Sequence, residues 1–501
     1  MSDGLQEVTG VSAVTTAMVR PKGRAGEPYS LDRVTGTDTR RRVLGLKSAS
    51  SRFWNERIET MPRERLDALQ LQRLRALVDY AYRYSPFYRE RFDHIGLRPE
   101  HIRTLDDFKH KVPITDKNDF LALQQTAPPY GPTLAIPHEF VAQHGETSGT
   151  TGVPLAIPFS MYDTIRYGES WVYGYWAIGI RPSDSFYFAF SWGLFMGFWS
   201  AYWGVRRLGC RVISGGGRET RGHVETILRL KPTVVICTPS YALRIASVAA
   251  EMGVDLSSSS VRFTYHAGEP GPTALPALRK QIEEAWGAAA GENYGIAEID
   301  ALGMSCTEGD GVHINEMNTF TWAMDPATGK EVAEGEVGEN IVTSVANTSQ
   351  VLLNYRSHDL VRRRLSCPCG RTWAKLDGTV LGRTDHMVTL RGTNVYPTAV
   401  QNVLAGTPGV SSFYELVLTR GQGGDVMTVR FEPVAEVPEA ERDALAHRLG
   451  ERIRLALGVR LEVEPLAPGA LPRYDAKSRR VVDRRPNEVR RELERRGPGE
   501  T

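Results

Sequence analysis

Between residues 162 and 286, short apolar runs alternate with stretches of helical period, and this alternation limits the fold more than any other feature of the chain. A helical stretch at 162–178 leads into FYFAF, and another at 195–208 leads into CRVIS. A helix around 223–230 precedes TVVICT, one at 239–252 precedes VRFTYHAGE, and one more covers 272–286. Apolar runs joined by helices pair in parallel through right-handed crossovers. The expected class is α/β, with mixed or parallel sheets covered by helices.

The flanking regions read differently. Residues 1–51 are rich in Gly, Thr, Ser and Arg and low in apolar periodicity, a composition expected to be disordered. From residue 63 the spacing turns helical until Pro86 breaks it. EVGENIVTSV and VLLNYRSHDLVRRR are β-rich. Beyond a junction at 381–391, a helix at 398–405, the strands SSFYELVLT and DVMTVRFEPV, and a helix at 439–457 make a small α+β unit. The expected domains are an extension at 1–51, a large N-terminal domain at 52–384 and a small mobile C-terminal domain at 385–501.

Composition narrows the setting. A hydrophobic content of 41% and a charged content of 24% in 501 residues are those of a globular protein with a sizeable core. The net charge of +2 does not call for a polyanionic partner. Five Cys in a chain this long make no disulfide framework, so a reducing cytoplasm is expected. The N-terminus lacks the basic-then-apolar pattern of a secretory signal. The uncharged run at 185–204 has the length of a membrane span, but its aromatics, Gly and Ser fit a buried strand, a turn and a helix start lining a pocket. No membrane contact is expected.

The run GETSGTTGVP holds six consecutive residues, Thr147, Ser148, Gly149, Thr150, Thr151 and Gly152, that are hydroxyl-bearing or glycine. It has nothing to bury, but it offers many donors at close approach, which suits a polyanion such as triphosphate. No Lys follows the last Gly, so it is not the common phosphate loop.

TSGTTG, YGIAE (294–298), YRSHD (355–359), GRTD (382–385) and KSRRVVD (477–483) stand in the order and spacing of AMP-forming adenylate ligases. FWNERIETMPRERL, CTPSYAL, RGTNVYP and CPCGR resemble the phenylacetate–CoA ligase branch of that family, over residues 53–486. The resemblance implies an ATP-dependent, AMP-forming activation of a carboxylic acid, followed by transfer to coenzyme A. It places residues 147–152 around the phosphates, with Thr150 catalytic. Gly268, Glu269, Pro270, Tyr294 and Gly295 lie against the nucleotide, Asp359 takes the ribose hydroxyls, and Arg383 sits nearby. Glu298 holds Mg²⁺, a cation that prefers oxygen ligands. Lys477 swings onto the α-phosphate, a task suited to a mobile point charge. Asp385 is the pivot of the small domain, and Gly392 lets a thiol pass in the second orientation. Three departures from the family pattern stand out: Val153 where Lys is usual, Ser357-His358 where Thr-Gly is usual, and Gln401 where Glu is common.

Two further groups complete the expectations. Tyr187, Trp192, Phe195, Tyr265, His266 and Ala267, with Phe186, Phe190 and Trp199, give an aromatic pocket suited to an aryl ring. Tyr265 and His266 lean the reading to a hydroxy- or amino-substituted aryl acid. Cys306, His313, Cys367 and Cys369 make a closed set of four ligands for a structural Zn²⁺. Alternative acceptors are an amine, giving an amide, or nitrite, giving diazotisation of an aryl amine. A binding protein without catalysis, its Arg-rich ends touching nucleic acid, is the reading from another class; Glu298, Asp359 and Lys477 together oppose it, and no nucleic-acid partner is expected. A homodimer is compatible with the sequence.

Overall fold

The computed structural model describes residues 51–147, 153–190, 192–194, 196–384, 388–390, 393–421, 424–472 and 480–485. The disorder expected of the N-terminal extension therefore lies outside the described residues, as do Ser148, Gly149, Thr150, Thr151, Gly152, Phe195, Asp385, Gly392 and Lys477.

Helices α1 (Arg63–Tyr84), α2 (Pro86–His94) and α3 (Lys117–Thr126) lead into the hairpin β1 (Gln143–Glu146) and β2 (Ala156–Phe159). Then come α4 (Met161–Ala177), β3 (Ser185–Phe188), α5 (Gly197–Leu208), β4 (Arg211–Ser214), α6 (Thr220–Leu230), β5 (Val234–Cys237), α7 (Pro239–Glu251), β6 (Phe263–His266), α8 (Pro276–Trp286) and β7 (Ala289–Ile296). Strands β4, β3, β5, β6 and β7 pair in parallel, in that order. This is the sheet that the alternation predicts.

The sheet then turns antiparallel. Strands β8 (Asp300–Ser305), β9 (Gly311–Ile314), β10 (Thr319–Met324), β11 (Val337–Ser344), β12 (Tyr355–Arg364), β13 (Lys375–Asp377) and β14 (Gly382–Arg383) extend it to twelve strands. After the small hairpin β15 (Val388–Leu390) and β16 (Thr393–Val395) come α9 (Pro397–Ala405), β17 (Val410–Gly421), β18 (Gly424–Pro433), α10 (Arg442–Leu457), β19 (Glu462–Pro465) and β20 (Val481–Asp483). These last four strands form a separate sheet in the order β19, β18, β17, β20. The architecture is the expected one: a large α/β part with a mixed sheet and a C-terminal α+β part with its own core.

One boundary differs from the periodicity. Helix α8 starts at Pro276, not at 272. Proline has no N–H to give and its ring clashes with the preceding turn, so it is tolerated at the first helical position and not inside. No described helix is long and apolar enough to cross a membrane.

Candidate active site

The site opens where β6 and β7 end. In a parallel sheet the carboxyl ends of the strands face a crevice that helices and loops can close. Here a cleft is walled by Trp171 of α4 and by Met196 and Phe198 at the start of α5. Ala267 and Gly268 follow β6, while Asn293, Gly295 and Ile296 belong to β7. Gly268 has a φ of +86°, a left-handed turn that glycine adopts without strain. Trp171 is fixed in place: its Nε1 donates to Ser200 Oγ at 2.8 Å, and Ser200 Oγ donates to Gly197 O at 2.9 Å.

Of the hydroxyl-rich run, Thr147 is among the described residues. Thr147 is buried, its N donates to Leu155 O at 3.0 Å, and its Oγ1 accepts from Leu155 N at 2.9 Å. These two bonds tie Thr147 to Leu155. A Cβ on Gly145 would collide with Met196, so the hairpin packs directly on the cleft wall.

A buried polar chain runs from the cleft across the sheet. Tyr294 Oη donates to Asp359 Oδ2 at 2.6 Å, and Arg383 Nη1 lies 2.9 Å from Asp359 Oδ1. The register of β12 with β14 sets Asp359 opposite Arg383. Burial, and then the Asp359 carboxylate, push the Tyr294 phenol well above its usual range, so it stays a donor. Tyr355 Oη donates to Glu298 Oε1 at 3.2 Å, and Glu298 is buried. Beneath the turn after β6, the buried Glu292 carboxylate accepts from Thr273 N at 2.8 Å and Thr379 Oγ1 at 2.7 Å. Glu269 accepts from Ser240 N at 3.2 Å, at the start of α7. An anion there is favoured by the helix dipole. The small sheet reaches the same turn: Arg480 lies over the Tyr414 ring at 4.4 Å, its backbone O accepts from Leu416 N at 2.6 Å, and Glu269 is among the groups that hold it charged.

The expected pocket residues separate. Tyr187 faces the α6 and α7 side of the sheet, where its hydroxyl meets His223 Nδ1 at 2.6 Å. Trp192 is half-buried, packs on Trp199 and donates to Ser214 Oγ at 2.8 Å. Neither lines the cleft. Tyr265 and His266 are neighbours on a strand and so point to opposite faces. Tyr265 packs under Trp171 and Tyr175, and its buried hydroxyl has no hydrogen-bond partner among the described residues. His266 is bonded through Nδ1 to Cys237 O at 3.1 Å; burial lowers its pKa to about 4, so the ring is neutral. Ala267 lines the cleft. Trp171, Met196, Phe198 and Asn293 were not singled out by sequence. Tyr167, Trp171 and Tyr175, four apart on one helix face, were the readable signal for the first.

Cys306, His313, Cys367 and Cys369 come together with all ligand atoms within 4.8 Å of one another. Cys369 Sγ lies 3.2 Å from His313 Nε2, and Cys306 Sγ 4.0 Å from Cys367 Sγ. His313 Nδ1 is 3.0 Å from Trp373 O, which fixes the tautomer and leaves Nε2 to coordinate. Lys375 Nζ (3.5 Å from Cys367 Sγ) and Arg371 Nη1 (3.7 Å from Cys369 Sγ) bring positive charge to the thiols. The donor set fits a tetrahedral zinc.

Residues 121–351 match the AMP-binding enzyme family, and residues 392–485 match the AMP-binding enzyme C-terminal domain. A phenylacetate-coenzyme A ligase of Thermus thermophilus is 35% identical over 453 residues, spanning 86% of this chain and 100% of that protein. A 2-hydroxyisobutyryl-CoA ligase in the postadenylation state, in complex with 2-HIB-AMP, is 31% identical with a TM-score of 0.83, over 90% of this chain and 96% of that one. The same ligase in complex with 2-HIB-AMP and CoA in the thioesterification state gives 0.67 over the same shares.

Proposed function

As a member of the phenylacetate–coenzyme A ligase family, the chain is an AMP-forming ligase, and we propose that it activates an aromatic carboxylic acid, with a hydroxy or amino ring substituent, and passes the acyl group to coenzyme A. The observation that carries this reading is the cleft between Trp171 and Phe198, at the carboxyl ends of β6 and β7. Its walls carry two aromatic side chains, Trp171 and Phe198, which suit a ring better than an alkyl chain. Asn293 supplies an amide at its edge for the ring substituent.

In the proposed mechanism the substrate carboxylate attacks the α-phosphorus of ATP and pyrophosphate leaves. Residues 147–152 receive the phosphates, and Asp359 accepts from the ribose hydroxyls while Tyr294 and Arg383 hold it in place. Gly268, Glu269, Pro270, Tyr294 and Gly295 bound the nucleotide. Glu298 would hold Mg²⁺, which supplies charge neutralisation at the phosphates when bound. Lys477 brings a positive charge to the α-phosphate. Rotation about Asp385 then exchanges Lys477 for the segment carrying Gly392. A thiolate attacks the acyl carbonyl and AMP leaves. Zinc, held by Cys306, His313, Cys367 and Cys369, would be structural, because four protein ligands leave no open position.

Pyrophosphate release across a panel of acids tests the reading. Aryl acids should be preferred over fatty acids and over 2-hydroxyisobutyrate. Equal or better turnover of the aliphatic acids would overturn it. Lys477→Ala should slow adenylate formation at least about 100-fold, the scale of one electrostatic group in a transition state, yet spare thioester formation from a supplied acyl-adenylate.

A further inference from the structure

His358 takes a backbone conformation that histidine rarely adopts, and the structure shows what its ring touches. Strands β11 and β12 lose register between Glu339 and Ile341: Glu339 pairs with Leu360 but Ile341 with Arg356, so β12 carries extra residues in a bulge. His358 sits in that bulge with a φ of +61°, a left-handed conformation that glycine takes readily and histidine does not. The residue after it is Asp359. Ser357 Oγ steadies the bulge by donating to Asn340 O at 2.7 Å and accepting from Asp359 N at 3.1 Å.

The imidazole joins three separate segments. Nε2 lies 2.9 Å from Asp116 Oδ2, at the N-cap of α3. Nδ1 lies 3.2 Å from Thr384 Oγ1, the residue before the proposed pivot, and 3.6 Å from Glu339 Oε1. Glu339 is itself bonded by Arg356 through Nε at 2.9 Å and Nη2 at 2.6 Å. A carboxylate only accepts, so Nε2 carries a proton. The Thr384 hydroxyl is placed to donate to His358 O at 3.4 Å, which leaves its oxygen to accept from Nδ1. Nδ1 also faces the Glu339 carboxylate, and two carboxylates within 3.6 Å of the ring favour its charged form.

We infer that His358 is a positioning residue: as an imidazolium tied to Asp116 and Thr384, it holds the bulge that aims Asp359 at the nucleotide and anchors the start of the pivot to the large domain. It does not touch substrate. Among the described residues, the charged groups around it are Asp116 on α3, Glu339 on β11, Arg356 and Asp359 on its own strand, and Arg383 on β14. Burial raises the Asp116 carboxyl, but the bond to His358 and the backbone bond from Asn118 outweigh it, and the net direction is down. As pH rises and the ring gives up a proton, one of its two bonds goes, and the bulge loosens. The inference rests on the reading of Asp359 as the ribose acceptor.

The test is KM for ATP against pH in the full-length enzyme, in wild type and three variants. Wild type should show KM rising toward alkaline pH. His358→Gly accepts the backbone but lacks the ring; its KM for ATP should rise about 10-fold, the loss of one charge-assisted hydrogen bond, with KM for the acid within about twofold and the alkaline rise gone. Asp116→Asn should also flatten the rise. His358→Arg keeps the charge at every pH and should restore KM to within about threefold, with a flat profile. An unchanged KM and an intact alkaline rise in His358→Gly would overturn the inference. Should His358→Gly not fold, an intact rise in both Asp116→Asn and His358→Arg overturns it equally. Asp359→Ala separates the two claims: if it leaves KM for ATP unchanged, the ribose assignment fails; if it raises KM while His358→Gly does not, only the role of His358 fails.

Discussion

Asp359 has two oxygens, and Tyr294 and Arg383 each hold one of them. A carboxylate keeps further lone pairs, so this arrangement orients the acid without consuming it. Tyr294→Phe removes the donor at 2.6 Å and should raise KM for ATP several-fold while lowering stability by about 1–2 kcal/mol; steady-state kinetics and chemical denaturation check both. Glu292 makes a different prediction. Burial, the largest influence on it, pushes its carboxyl above the ordinary value of 4.5. The folded state thus binds that proton more tightly than the unfolded state, and stability is lost as pH rises above about 4.5. Glu292→Gln keeps an acceptor for Thr273 N and removes the charge, so its Tm should gain on wild type between pH 5 and pH 8. A gap between the two melting curves that stays constant with pH contradicts the assignment. Residue identity alone could not place these groups. Sequence read Tyr265 and His266 as one pocket pair, but the two-residue period of β6 sends them to opposite faces.

At the scale of elements, the parallel strands were legible because each is a short apolar run between helices, a pattern with few alternatives. The antiparallel half was legible only as β-rich. Its strand order, with β13 inserted between β9 and β12, depends on long-range pairing that leaves no local period. The metal cluster shows why that pairing matters. Strand β13 sets Lys375 opposite His313 in β9, and the segment between β12 and β13 carries Cys367 and Cys369. Arg371, beside Cys369, donates to Glu59 Oε2 at 2.7 Å, and both side chains are buried. Zinc would therefore tie the N-terminal turn at Glu56–Glu59 to the sheet. Elemental analysis should find about one zinc per chain, and Cys369→Ser should lose the metal and lower Tm by several degrees with kcat at 25 °C little changed. Metal loss with no change in Tm contradicts a structural role.

At the scale of the whole molecule, the proposed function requires motion about one junction. The two cores are separate, and the chain crosses between them after β14. Among the described residues, contacts between the parts include Gln281 Nε2 donating to Ala405 O at 3.4 Å and Thr398 Oγ1 donating to Leu381 O at 2.7 Å. In the sequence the junction is marked only by turn residues, and local sequence carries no signal for the orientation across it. Fixing the pivot should trap one of them. Asp385→Pro locks φ and should retain adenylate formation while thioester formation falls at least about 10-fold, as hinge changes do when a second orientation is needed. The measurement that tests the central claim most directly is mass spectrometry of the products formed from ATP, Mg²⁺ and an aryl acid, with and without coenzyme A. Acyl-adenylate without coenzyme A, and AMP with aryl-CoA in its presence, is the result expected. ADP and phosphate, or aryl-CoA formed without AMP, would contradict it.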